Sequence, residues 1–342
     1  MQWHIQYLDV ARAHQISQGE GVVVALEDTS VSSHPDLEGC LLPGIDLVGA
    51  QQPSQQQPSS HGTLMAGLIA AHGRNKDEGA LGVAPKAKVL PVRVQPDTRD
   101  GSTDILAAGI EWATANHADV ISVSSVAGAS VRLQRAVRTA LAADIVLVAA
   151  AGNQPEDSGV GYPASEEGVI AVGGSDQSGR HAPVSVVGRE IDVAAPAVDI
   201  YSTGRGDKYS KGTGTSSATA IVAGAAALIR SKYPDLPAEE VAHRLTATAI
   251  DKGPPGRDDE YGYGVIDLVA ALTADVPPLG FESSAVTPPA SGTALPEGGD
   301  AGDDGAAVRG LATLGVLVAA GGGYLVWRRR RRADDPPPRV SR

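Results

Sequence analysis

The sequence predicts an α/β domain in three layers, with a mostly parallel central sheet and helices on both faces. Three observations predict it. Short β-branched runs alternate several times with longer stretches whose apolar residues recur at helical spacing. The strand candidates are continuous apolar runs, as expected of strands covered on both faces. Carboxylate and amide residues follow two of these runs directly, at the C-terminal edge where open α/β sheets place their chemistry.

Residues 1–20 form a lead-in, with Trp3, Tyr7 and Leu8 apolar and a turn at 16–19. G-V-V-V-A-L at 21–26 is the first central strand, and it runs into Glu27-Asp28-Thr29, acids that read alone as a capped strand end. A Gln/Pro/Ser loop at 50–60 hands over to S-H-G-T-L-M-A-G-L-I-A-A, where Leu64, Met65, Leu68 and Ile69 keep helical spacing. His61 therefore opens a buried helix, where a lone histidine is ordinarily structural. After a turn at 82–85 come a strand at 88–94, a helix at 105–116, a strand at 119–126, a helix at 131–143 and a strand at 145–153. Asn153 ends that last strand; alone, its G-N pair is a turn signal. Short strands and turns at 168–174 and 191–196 lead to G-T-G-T-S-S-A-T-A-I-V-A-G at 212–224, which opens a long helix reaching Lys232. A helix at 238–247 and the run from Tyr261 close the domain, which the sequence bounds at 1–275.

The chain has 342 residues, 42% of them hydrophobic, enough for one large core. Its net charge is -12 and the first three hundred residues hold no basic patch, so no nucleic-acid partner is expected. Cys40 is the one cysteine, which excludes an intrachain disulfide and reads as a packing residue. Residues 276–308 are rich in Pro, Gly and acids and read as a disordered linker. Within 309–327 a charge-free apolar run follows, read as a transmembrane helix, and 328–342 is a basic tail that begins with five arginines. Arginines mark the cytoplasmic side, so the expectation is a single-pass protein of the cell membrane with the folded domain outside. Met1 opens straight into polar, amphipathic sequence with no signal segment, so a true start further upstream is expected.

The stretch at 212–224 surrounds one hydroxyl, Ser216, with glycines and small residues at the start of a helix. A helix N-terminus favours negative charge, so an oxyanion made there is stabilised; the plainer reading is a serine N-cap. Taken together, Asp28, His61 and Ser216 supply an acid, a base and a nucleophile on three elements of one domain. Acyl transfer needs these types, because an imidazole must take the serine proton and a carboxylate must hold the imidazole's tautomer. The residue two after Ser216 is Ala218, so the G-x-S-x-G elbow of α/β-hydrolases is absent. No H-E-x-x-H or Cys/His cluster points to a metal.

In this order the chain resembles the subtilases, and among them the mycosins, membrane-anchored proteases associated with type VII secretion. The resemblance is carried by G-V-V-V-A-L-E-D-T at Gly21, H-P-D-L at His34, H-G-T-L-M-A-G at His61, G-V-A-P at Gly82, A-A-A-G-N at Ala149, D-V-A-A-P at Asp192 and G-T-S-S-A at Gly214. It implies a serine endopeptidase acting on protein or peptide substrates, in which Asp28 orients His61, His61 is general base and acid, and Ser216 is the nucleophile. Asn153 and the Ser216 N–H would form the oxyanion hole, and Ser124-Ser125-Val126 would receive the substrate as an added strand. Type VII secretion components are implied as partners, and no cofactor is. Subtilases often carry structural calcium, yet no D-x-D-x-D-G loop is present.

Three substitutions depart from the family's pattern. Ser30 replaces the glycine of the usual D-[ST]-G, and Ala220 replaces a usual proline. Counting from Gly21 makes Asp28 the triad acid, and D-T-S-V preserves the motif there; counting back from His34 gives Glu27, the reserve. Val126 stands where glycine is usual in the substrate strand, so it narrows or closes the cleft. Ser30 and Val126 support the competing expectation, a weak or inactive relative that serves a secretion machine as a binding or scaffold component.

Overall fold

The computed structural model describes residues 2–49, 60–74, 78–96 and 101–280. Most of the expected linker, the apolar run and the basic tail lie outside the described residues. Among the described residues no helix is long and apolar enough to cross a membrane.

Two short helices, α1 (Trp3–Tyr7) and α2 (Val10–Ala13), lead into β1 (Val23–Asp28), followed by β2 (Ile45–Asp46), α3 (His61–Ala70) and β3 (Lys88–Arg93). Next come α4 (Thr103–Ala115), β4 (Val120–Val123), α5 (Val131–Ala142), β5 (Val146–Ala150), β6 (Ile170–Ser175) and β7 (Val193–Pro196). The hairpin β8 (Ile200–Thr203) and β9 (Tyr209–Gly212) precedes α6 (Thr215–Lys232), α7 (Ala238–Ala247) and α8 (Leu268–Thr273). Seven strands form one parallel sheet in the order β2-β3-β1-β4-β5-β6-β7.

Side chains alternate across a strand, so each strand feeds two cores. Val24, Leu26, Val120, Val146 and Val148 pack with α3, α6, α7 and α8 on one face. Ala25, Ile121, Val123, Leu147 and Ala149 pack with α4 and α5 on the other. Helix α6 is buried from Thr215 to Arg230 and is apolar or small all round, the pattern of a helix that crosses a core.

Three local expectations are corrected. The ladder of β4 stops at Val123; Ser124 N–H still donates to Glu27 O of β1 at 3.4 Å, and residues 125 and 126 lie beyond the described strand. The sequence reading missed the β8–β9 hairpin, whose turn carries Gly206 at φ +62° and Asp207 at φ +58°. The first residues of the expected linker are held: Leu279 N–H donates to Glu240 Oε1 at 2.8 Å, and His243 Nε2 donates to Pro277 O at 3.0 Å.

Candidate active site

Three elements converge at the C-terminal edge of the sheet. β1 delivers Asp28 as its last residue, fully buried, on the face that packs against α3. His61 is the first residue of α3, and close approach of that helix to the end of β1 depends on Gly62. A β-carbon there would stand 2.7 Å from Thr29 O, too near for any other residue. The hairpin clamps α3 from the other side, through Thr203 Oγ1 donating to Thr63 O at 2.6 Å and a Ser60–Ser210 hydroxyl contact at 3.1 Å.

Asp28 Oδ1 accepts from His61 Nδ1 at 2.7 Å, from Thr29 N–H at 2.7 Å and from Thr29 Oγ1 at 3.2 Å. A carboxylate only accepts, so Nδ1 carries the proton and Nε2 is left as the acceptor. Nε2 lies 3.0 Å from Ser216 Oγ, positioned to take the hydroxyl proton. Burial lowers the imidazole's affinity for a proton, but the Asp28 charge and hydrogen bond outweigh it and raise the His61 pKa above its ordinary 6.5. The imidazole keeps 37% of its surface open, whereas Asp28 has none.

The alternation of β1 decides between the two acids. Glu27 points to the opposite face, where its Oε2 comes within 2.6 Å of the place a β-carbon on Gly109 of α4 would take. It is fully buried and neither carboxyl oxygen has a described hydrogen-bond partner, and burial pushes its pKa well up. Glu27 does not meet His61.

Ser216 is the second residue of α6, where N–H groups have no carbonyl one turn back to bond. Its Oγ is near the amide of Asn153: the point a β-carbon on Gly214 would take, at φ +156°, lies 3.4 Å from both Ser216 Oγ and Asn153 Nδ2. Any side chain there would fill that space. Thr215 N–H donates to Asn153 Oδ1 at 2.9 Å, and Thr215 Oγ1 does so at 3.2 Å. With its oxygen so occupied, the amide has its NH₂ left to donate to an oxyanion.

Two supports escaped the sequence reading. Thr29 fixes Asp28, and its Oγ1 also accepts from Gly62 N–H at 3.0 Å. Asp157 Oδ2 accepts from Asn153 N–H at 2.7 Å while Asp157 N–H donates to Asn153 O at 2.8 Å, closing the loop that presents Asn153. The acid four residues after Asn153 was the available signal, since Asp commonly folds back on a nearby N–H.

Ser124, Ser125 and Val126 continue β4 beyond its ladder, with Ser125 buried and Ser124 and Val126 half-buried. Ser30 replaces glycine without strain, because it is not among the described non-glycine residues with positive φ. Among the described residues no three His, Cys, Asp or Glu side chains stand together as a metal site. Asp36 of the H-P-D-L motif is buried and held by Arg74 Nε at 3.0 Å and Ala80 N–H at 2.6 Å. Cys40 is buried, with its thiol donating to Ala70 O at 3.3 Å.

Comparison with known proteins gives a consistent result. The model of the Subtilase family (Peptidase S8) matches residues 19–264. Subtilisin DY of Bacillus licheniformis is 40% identical over 259 residues, covering 74% of this chain and 92% of that protein. Among solved structures, MycP1 with its N-terminal propeptide removed has a TM-score of 0.71 at 31% identity, covering 80% of this chain and 98% of that one. A second MycP1 structure, described as a serine protease and an essential component of the type VII (ESX-1) secretion system, has a TM-score of 0.69 at 34% identity, covering 79% and 88%.

Proposed function

Because the chain belongs to the subtilase family and is a subtilisin-like serine endopeptidase, we propose that it cleaves peptide bonds with Asp28, His61 and Ser216 as its triad, from a membrane anchor on the outer side of the cell membrane. One observation carries the assignment of roles: His61 bridges Asp28 at 2.7 Å and Ser216 at 3.0 Å, with the imidazole proton on the acid side. His61 takes the Ser216 proton as Oγ attacks the substrate carbonyl. Asp28 stabilises the imidazolium that results. Asn153 Nδ2 and the Ser216 N–H receive the oxyanion, and His61 returns the proton to the leaving amine. Water then enters, and the same base activates it against the acyl-enzyme.

The substrate backbone lies along Ser124, Ser125 and Val126, which prolong β4 past its ladder and so offer an edge for an added strand. The charge-free run within 309–327 and the arginines after it support the anchor and its orientation. The likeness to MycP1 supports a place beside a type VII secretion machine. Without strain at Ser30, the scaffold alternative loses one of its two supports.

The test is fluorophosphonate labelling of the detergent-solubilised full chain beside Ser216→Ala and His61→Ala. Labelling of the parent that both substitutions abolish is expected. A folded parent that takes no label would return the chain to the scaffold reading.

A further inference from the structure

Resting on the reading of Ser216 and Asn153 above, we infer that Val126 is a specificity-determining residue. It restricts the residue that supplies the cleaved carbonyl to glycine, alanine or serine.

The acyl side of the serine is flanked by two backbone segments that leave the sheet side by side. Residues 124–127 continue β4 and residues 151–153 continue β5, its parallel neighbour. A third segment ties them together at the far end. Gly161 N–H donates to Ala151 O at 3.2 Å, and Tyr162 pairs with Ala127 through bonds of 2.8 and 3.2 Å. The three segments bound a slot with Gly161 as its floor. An extended peptide laid along 124–126, with its carbonyl at Ser216 and the carbonyl oxygen toward Asn153, presents that residue's side chain to this slot.

A glycine floor between two backbone walls would leave a deep slot. Here the wall itself fills it. A β-carbon built on Gly161 would stand 2.2 Å from Val126 Cγ1 and 3.5 Å from Val126 Cβ, so the valine methyl already occupies the room over the glycine. Valine is branched at Cβ and stiff at χ1, so it cannot swing aside as a leucine or methionine would. A glycine here would admit a large side chain, but valine leaves space for a methyl or hydroxymethyl group. A single extra methylene in such a pocket changes relative rates by about 10–200-fold, and an aromatic ring asks for far more room.

The test measures kcat/KM of the detergent-solubilised full chain on succinyl-Ala-Ala-Pro-X-p-nitroanilides with X as Gly, Ala, Leu and Phe. Val126→Gly and Val126→Ala are run beside the parent, and each preparation is checked by fluorophosphonate labelling. The expected parent preference is Ala over Phe by about 100-fold or more. In Val126→Gly the Phe-to-Ala ratio is expected to rise by about 30-fold, and in Val126→Ala by an intermediate factor. The alanine variant keeps the test open if glycine loosens the loop. A labelled parent that cleaves Phe as readily as Ala overturns the inference and leaves the triad assignment standing. So does a Phe-to-Ala ratio unmoved in both variants, or a labelled parent that cleaves neither small-residue substrate. A folded parent that takes no label overturns both readings.

Discussion

Two adjacent carboxylic acids end β1, buried on opposite faces of the same sheet, and the protein treats them in opposite ways. On the α3/α6 face Asp28 Oδ1 collects three hydrogen-bond donors, one of them the His61 imidazole. On the α4/α5 face Glu27 rests over Gly109 with no described donor. Burial is severe for both. What separates them is hydrogen bonding, which the charged form needs before it tolerates a low-dielectric interior. One face surrounds its carboxyl with donors, and the other gives Glu27 burial alone, which favours the protonated acid.

The largest expected effect would break that contrast at Asp28. Asp28→Asn is expected to lower kcat by about 10⁴-fold, a scale set by other serine proteases including a subtilisin. Glu27→Gln is expected to leave kcat within about 3-fold, because its side chain is across the sheet from the imidazole. The pH profile sharpens the same point. His61 must be neutral to act as base and its pKa is raised, so the acid limb of kcat/KM in the parent is expected above pH 6.5. In the residual activity of Asp28→Asn that limb is expected to move down, since the charge and the hydrogen bond that raise it are weakened.

A smaller effect is expected one step from the reacting atoms. Asp157→Ala removes the acceptor that closes the Asn153 loop, and kcat is expected to fall about 10-fold with KM little changed. Asp157→Asn, which keeps an acceptor oxygen, is expected to recover most of the loss. Combined with Asn153→Ala, Asp157→Ala is expected to cost little more, because the group it positions is gone. Equal losses in both backgrounds would show that Asp157 acts elsewhere.

The smallest effect belongs to the other face and is read in stability. A folded-state pKa raised above the ordinary value of about 4.5 means that Glu27 keeps a proton the unfolded chain has released. Its contribution is therefore fully present below about pH 4.5 and is lost as pH rises toward the folded-state value. Glu27→Leu, which also removes an unsatisfied buried group, is expected to stabilise the fold at pH 8 by about 1–3 kcal/mol. The gain is expected to shrink as pH falls toward 4.5, as followed by urea unfolding. A gain independent of pH would mean that Glu27 is ionised in the folded protein.

The sheet, the helices on both faces and the convergence of Asp28, His61 and Ser216 were legible because they rest on local signals: β-branched runs, helical spacing and glycine-rich turns. The choice of Asp28 over Glu27 rested on the D-T-S-V motif alone, since spacing arguments ran both ways. Strand alternation turns Asp28, and not Glu27, toward His61. The hairpin at Ile200–Thr203 and Tyr209–Gly212 was missed because its exposed strand β9, Y-S-K-G, has no apolar alternation to announce it. Asp157 was missed because its role is a loop contact over four residues, invisible to periodicity. Ser30 looked costly only while its backbone angle was unknown.

Helix α6 packs across β1, β4, β5, β6 and β7, yet it is encoded after all of them. During synthesis the sheet face it covers has no lid until residue 232 has emerged, and closing such distant contacts is slow. Ser216 travels on that same helix. A chain whose core is still open therefore has its nucleophile away from His61 and Asn153. The site is thus complete only once the core is closed.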